Sequence, residues 1–362
     1  MLSLPICKEL IMRITLFSVA MVLSCFFPAL AGQSFNILLY HHVADDTPPS
    51  TTISIAQFEA HLAFLKDNGY QVLSLDDALN QVINNQPLPD KAVAITFDDG
   101  YLSIYQNAFP LLKQYGYPFT VFVATGPIDH KYPQMMSWDM LREMKQAGAI
   151  IANHTTDHAY LVRKPEFSEQ WLRMTQENIN QAQQRLKEEL GDVPKWIAYP
   201  YGEYNDELKK KLAEEGWIGF GQQSGGVAHF SDFTALPRFP AAGTYADLKT
   251  LKPKLASVPM PVDYVDLPDS VTREASNSIT VNMNEKLKRQ SELRCYFNGN
   301  VYEPDINSSS FSVDIQQNFH QGRDRINCTI PSQVQPVFYW FSFQWVYWPT
   351  TATVVDENEM DK

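Results

Sequence analysis

Cationic side chains are in short supply: 29 lysines and arginines stand against 41 aspartates and glutamates, for a formal net charge of -12. Nucleic-acid binding relies on Lys and Arg to neutralise phosphates, so that class of partner is excluded. A neutral polymer or a cationic product stays compatible. Long apolar runs are lacking too, and the stretch from Ile14 to Phe27 is too short for a comfortable membrane span. Internal repeats and low-complexity tracts are missing, which leaves no sign of a repeat array. Cysteine is rare, with four in 362 residues. What remains is ordinary globular composition, 44% hydrophobic and 19% charged, in a chain long enough for one large α/β domain and a small one.

The N-terminus places Lys8 and Arg13 ahead of the Ile14–Phe27 run and Ala29-Leu30-Ala31 before Gly32. Charge, apolar core and small residues in that order read as a secretory signal, residues 1–31, cleaved after Ala31. The protein is then exported: periplasmic, associated with the cell envelope, or extracellular. Ser24-Cys25 as a lipidation site and a retained N-terminal membrane anchor are the alternatives. Cleavage removes Cys7 and Cys25 and leaves Cys295 and Cys328, and two cysteines in an exported domain most often pair. The bond would contribute on the order of 3 to 4 kcal/mol in the chain-entropy model.

Chemistry concentrates in two runs, Thr96-Phe97-Asp98-Asp99-Gly100 and His154-Thr155-Thr156-Asp157-His158. A metal that activates water needs three protein ligands and an open position, and a His/His/carboxylate set is a standard solution for zinc. Asp99, His154 and His158 could supply it, leaving Asp98 off the metal as a general base. The apolar Ala92-Val93-Ala94-Ile95 reads as a buried parallel strand, and Gly100 permits the turn after it. The plain alternative is a polar turn and two ordinary histidines. A third run, Ala198-Tyr199-Pro200-Tyr201-Gly202, follows the short strand Trp196-Ile197.

With these three runs the chain resembles the polysaccharide deacetylase family (NodB homology, carbohydrate esterase 4) over about residues 35 to 250. The resemblance implies an irregular (β/α) barrel, Asp98 as catalytic base, and Asp99, His154 and His158 as metal ligands. It also implies the Tyr201 backbone N–H as an oxyanion donor. Two departures stand out. Ala198 occupies the place of an Arg that orients the base, and Arg238 in Leu236-Pro237-Arg238-Phe239 is the candidate replacement; the alternative is a salt-bridged Arg on a strand edge. The C-terminal Leu-x-His motif that carries the general acid is missing, since only His229 and His320 lie downstream and neither has that context. Both departures are shared by a subgroup similar to the poly-N-acetylglucosamine deacetylases, whose acid lies in an N-terminal Tyr-His-x-Val segment. Here that segment is Tyr40-His41-His42-Val43, which makes His41 the matching acid and leaves His42 unassigned. A capped strand end with two solvated imidazoles is the alternative for the pair, and a simple Pro-Tyr-Gly turn the alternative for Tyr201.

Strand-like and helix-like segments alternate through residues 32–250, the expected catalytic domain, including helices from Ile55 to Asn68, Leu102 to Tyr115, Glu169 to Leu190 and Asp206 to Glu215. Prolines 253, 259, 261 and 268 mark residues 251–268 as a linker. Residues 269–355 then read as an all-β accessory domain, a sandwich of immunoglobulin-like type with strands such as Ser278–Asn282, Leu293–Phe297, Ser310–Ile315 and Val337–Trp348. Residues 356–362 are a tail. The aromatic run Phe338 to Trp348 reads as a core strand docked on the barrel, with a sugar-stacking platform as the other reading.

The expected activity is metal-dependent removal of N-acetyl groups from an acetylated amino-sugar polysaccharide, with a poly-N-acetylglucosamine-like exopolysaccharide favoured. The alternatives are a deacetylase of peptidoglycan or chitin oligomers and a non-catalytic glycan-binding protein on the same fold. The cofactor is a divalent metal, zinc before cobalt, nickel or iron.

Overall fold

The computed structural model describes residues 32–274, 278–333 and 337–352. The expected signal segment 1–31 and tail 356–362 lie outside the described residues. Seven strands, β1 (Ser34–Tyr40), β2 (Ala92–Phe97), β3 (Thr120–Val123), β4 (Ile150–Asn153), β5 (Trp196–Ala198), β6 (Ile218–Phe220) and β7 (Gly226–Ala228), line up in the order β7-β1-β2-β3-β4-β5-β6. Neighbours are parallel except β7, which runs antiparallel to β1. Strand β2 is buried at every position, as a strand covered on both faces must be. Val93, Ile95 and Phe97 join a core with the helices Ile55–Asp67 and Phe109–Tyr115, whereas Ala92 and Ala94 face Phe122, Ala152, Ala198 and Phe220 on the other side.

The crossover helices begin at side-chain caps: Ser54, Ser74, Ser137, Ser168 and Asn205 each accept a backbone N–H of the first turn. Helix Glu169–Leu190 ends at Gly191, with φ +76°. The sheet curls into a half-barrel whose two ends are joined by one short segment. Leu236 makes a parallel bridge to Phe220 in β6, and Phe239 and Pro240 pair parallel with Leu38 and Leu39 of β1.

The stretch 251–268, expected to be a linker, is not one. Its first residues complete the helix Leu248–Leu255, which packs Leu251 and Leu255 onto the barrel core, and Ser257–Pro259 forms strand β8. Met260 and Val262 are fully buried in the second core. Pro253 sits inside that helix, and Pro259 is tolerated in β8 because β8 is the edge of its sheet.

The all-β part continues through β9 (Ser278–Asn282), β10 (Arg294–Phe297), β11 (Ser310–Asp314), β12 (Gly322–Pro331) and β13 (Phe338–Tyr347). One sheet runs β8-β13-β12-β10 and the second pairs β9 with β11. Between them Ile279, Val281, Phe297, Phe311, Ile326, Phe341 and Trp345 form the core. Cys295 and Cys328 lie directly opposite in β10 and β12 and are disulfide-bonded. The aromatic run is a core strand: Phe341, Phe343 and Trp345 enter the β core, while Trp340 meets Phe239 of the barrel edge-on at 5.4 Å.

Candidate active site

Strand β2 delivers Asp98 and Asp99 at its carboxyl end. The Asp98 N–H donates to Tyr40 O at 3.0 Å, which keeps the end of β1, and so His41, beside it. Asp99 then takes a left-handed backbone, φ +74°, and Gly100 follows at φ +89° with its N–H on Asp98 O at 2.9 Å. The reversal lets adjacent carboxylates face different partners. Of the eight described non-glycine residues with positive φ, four are Asp99, Thr155, His158 and Tyr201. Each such residue costs on the order of 1–3 kcal/mol, and their convergence on one place marks a constrained functional site.

Asp98 is fully buried and bidentate to Arg238, with Nη1–Oδ1 at 2.6 Å and Nη2–Oδ2 at 2.7 Å. Arg238 is also fully buried, and its Nε donates to Gly221 O at 2.9 Å. Burial pushes the Asp98 carboxyl up, but Arg238 and then His154 outweigh it and hold it below the usual carboxylate range.

Asp99 Oδ1 lies 3.1 Å from His154 Nε2 and 3.2 Å from His158 Nε2, and one ligand atom from each residue falls within 4.8 Å of the others. His154 is fixed from behind, its Nδ1 donating to Ala198 O at 2.7 Å, which leaves Nε2 aimed at the cluster. Asp99 Oδ1 and His154 Nε2 are buried and make no hydrogen bond, although they face one another. Orphaned buried acceptors are costly unless something else takes both, and an oxygen with two imidazole nitrogens suits a divalent transition metal. The residues therefore fit a metal ion. Burial pushes the Asp99 carboxyl up, yet His158 and His154 hold it well below its ordinary value.

His41 sits close enough to both carboxylates for their charges to act on it. Burial lowers its pKa, Asp99 and Asp98 pull it back up, and Arg238 and His154 add to the depression. His42 points elsewhere, stacking on Tyr101 at 3.6 Å between ring centres, and burial brings its pKa down to about 4, so it is neutral at physiological pH. The two downstream histidines are remote in context: His229 is exposed in a turn, and His320 belongs to the β part, bonded through its N–H to Asp324.

Tyr201 has φ +58° in the Pro200–Gly202 turn, and its ring centre lies 4.6 Å from that of His158. Several residues here escaped sequence reasoning. Asn153, at the end of β4, accepts the Thr155 N–H at 2.7 Å and donates to Ile179 O at 2.9 Å, which sets the turn carrying His154. Glu203, fully buried directly after Gly202, is bidentate to Arg163, whose guanidinium lies 3.6 Å over the Tyr160 ring. Tyr160 in turn stacks on Tyr201 at 3.8 Å. The position of Glu203 right after the Pro-Tyr-Gly motif was a usable signal, whereas nothing in spacing links it to Arg163.

Comparison with known proteins bears on the family and the fold. The polysaccharide deacetylase family profile matches residues 85–217. YxkH of Bacillus subtilis (strain 168), whose name assigns it provisionally to the polysaccharide deacetylases, is 32% identical over 203 residues, covering 56% of this chain and 69% of that protein. The poly-beta-1,6-N-acetyl-D-glucosamine N-deacetylase of Escherichia coli (strain K12) is 25% identical over 310 residues, 72% of this chain but only 45% of the relative's length. The deacetylase PplD of Streptococcus pyogenes, solved in complex with acetate, superposes with a TM-score of 0.55 at 25% identity over 61% of this chain and 98% of its own. On sequence and fold, the chain belongs to the polysaccharide deacetylase family.

Proposed function

We propose that this protein is a metal-dependent N-deacetylase of a poly-N-acetylglucosamine-like exopolysaccharide, acting after export from the cytoplasm. The observation that carries the reading is a buried carboxylate oxygen and a buried imidazole nitrogen without hydrogen bonds, set beside a second carboxylate held by a buried arginine. The E. coli relative's name supports the substrate class, and the acetate bound to PplD supports the product. The two-sheet packing of the C-terminal part is compatible with an immunoglobulin-like sandwich.

In this reading Asp99, His154 and His158 hold a divalent ion, zinc before cobalt, nickel or iron, which supplies Lewis acidity and lowers the pKa of a water. Asp98, kept as a carboxylate by Arg238, takes the proton of the attacking water. The Tyr201 N–H donates to the oxyanion as the acetamide carbonyl becomes tetrahedral. His41 gives its proton to the departing nitrogen, because an unprotonated amide nitrogen is a very poor leaving group.

The deciding experiment measures acetate release across acetylated glucosamine oligomers, chitin oligomers and peptidoglycan, with metal analysis, chelation and metal add-back. Loss on chelation, recovery with zinc, and preference for the β-1,6 oligomers are expected. A protein that retains no metal and releases no acetate would instead be a glycan binder on this fold. The role of His41 has its own signature: His41→Ala should cut amide turnover by about 10²- to 10³-fold while sparing an activated acetate ester, which needs no protonated leaving group. Equal losses on both substrates would remove His41 from the role of acid.

A further inference from the structure

We propose that Gln344, on strand β13 of the C-terminal β part, is a positioning residue for the reaction, clamping the Pro200–Gly202 turn that carries the Tyr201 N–H. The inference rests on the deacetylase reading above and assigns the β part a share in the active site.

Side chains alternate along β13. Phe341, Phe343 and Trp345 enter the β core, so Trp340, Ser342, Gln344 and Val346 occupy the opposite face. Gln344 is 0% exposed, and its Nε2 donates to Gly202 O at 2.6 Å. Its Oε1 is buried with no hydrogen-bond partner. An amide half-satisfied in a buried interface costs free energy that an aliphatic residue of the same length would avoid. Packing alone therefore does not account for a glutamine here, whereas a bond to a backbone carbonyl of the third motif does.

Strand β12 closes in from another side. Arg323 Nη1 donates to Gln222 Oε1 at 2.9 Å and Arg325 Nη1 to Gln222 O at 2.7 Å. A Cβ on Gly202 would stand 2.7 Å from Gln222 Cβ and 2.8 Å from Arg323 Nη1. The turn is thus wedged between Gln222, β12 and β13. Within it the Gly202 N–H bonds Tyr199 O at 2.8 Å and the Glu203 N–H bonds Pro200 O at 3.1 Å. With both flanks of the turn tied and Gly202 O held by Gln344, the Tyr201 peptide has little room to rotate. Oxyanion donors work by being fixed before charge develops, so a loosened turn costs transition-state binding and leaves ground-state binding alone.

The test uses the full chain with Gln344→Met, which keeps length and loses the donor, and Ser342→Ala as a neighbour on the same face whose hydroxyl bonds Ile326 O within the β part. Gln344→Met should lower kcat about tenfold with KM and metal stoichiometry unchanged, and should speed hydrogen exchange at the Gly202 and Glu203 amides; Ser342→Ala should do neither. An unchanged kcat, a loss that appears as raised KM or lost metal, or an equal loss in Ser342→Ala would overturn the proposal. Should Gln344→Met fail to fold, exchange in the unaltered chain decides: the two amides should open only with β13, and faster local opening refutes the clamp. Should the unaltered chain release no acetate, the deacetylase reading fails, while the exchange comparison still decides whether Gln344 holds the turn.

Discussion

Asp98→Asn should lower acetate release by about 10²- to 10⁴-fold while the metal stays bound, since removing a general base forfeits a factor of that size. The asparagine amide has no basic oxygen for the water's proton. The proposed ligands Asp99, His154 and His158 are separate groups, and His154 is held from the far side by Ala198 O, so the metal stoichiometry should be preserved. The variant carries a cost in stability. Arg238, fully buried, loses its counter-charge, and breaking a buried pair on one side costs about 3–5 kcal/mol. Rates should therefore be taken well below the thermal midpoint and normalised to folded, metal-loaded protein. Turnover within a few-fold of the unaltered chain under those conditions would remove Asp98 from the role of base.

That Asp99, His154 and His158 come together could be read from the sequence because they lie in short runs at the ends of buried strands. Asp98 and Asp99 follow β2 directly, and His154 and His158 follow β4 within one turn, so local sequence carried both position and chemistry. Arg238 was harder. It lies 140 residues from Asp98 and comes to it only because Leu236 and Phe239 join the two ends of the curled sheet, a closure that periodicity in so short a segment does not reveal. Strand β12 was missed altogether. Its Gly322, Asp324, Ile326, Cys328 and Ile330 alternate inward, but Arg323, Asp324 and Arg325 mask the pattern, and the arginines have a use only once the barrel is placed against them. For the same reason nothing in the sequence showed what holds the turn of the third motif. Half of what holds it comes from more than a hundred residues downstream.

Arg238→Met should be destabilising by about 3–5 kcal/mol, because it strands a carboxylate in a fully buried site. The pH dependence has a definite sign. With Arg238 present the folded Asp98 carboxyl lies below its unfolded value, so its contribution to stability is present above the ordinary carboxylate range and is lost as pH falls through the lower folded value. Without the guanidinium, burial acts with one less opponent and the carboxyl rises. Asp98 is then more often protonated near neutrality, so acetate release should fall and its acidic limb should move to higher pH. The double variant Asp98→Asn, Arg238→Met separates the two effects. Removing both charges relieves the stranded partner left by either single change, so its thermal midpoint should exceed that of both singles, while its activity stays as low as that of Asp98→Asn. Independent, additive losses in stability would mean that the pair is not coupled as its bidentate geometry requires. An unmoved acidic limb in Arg238→Met would mean that Arg238 does not hold the base in its charged form.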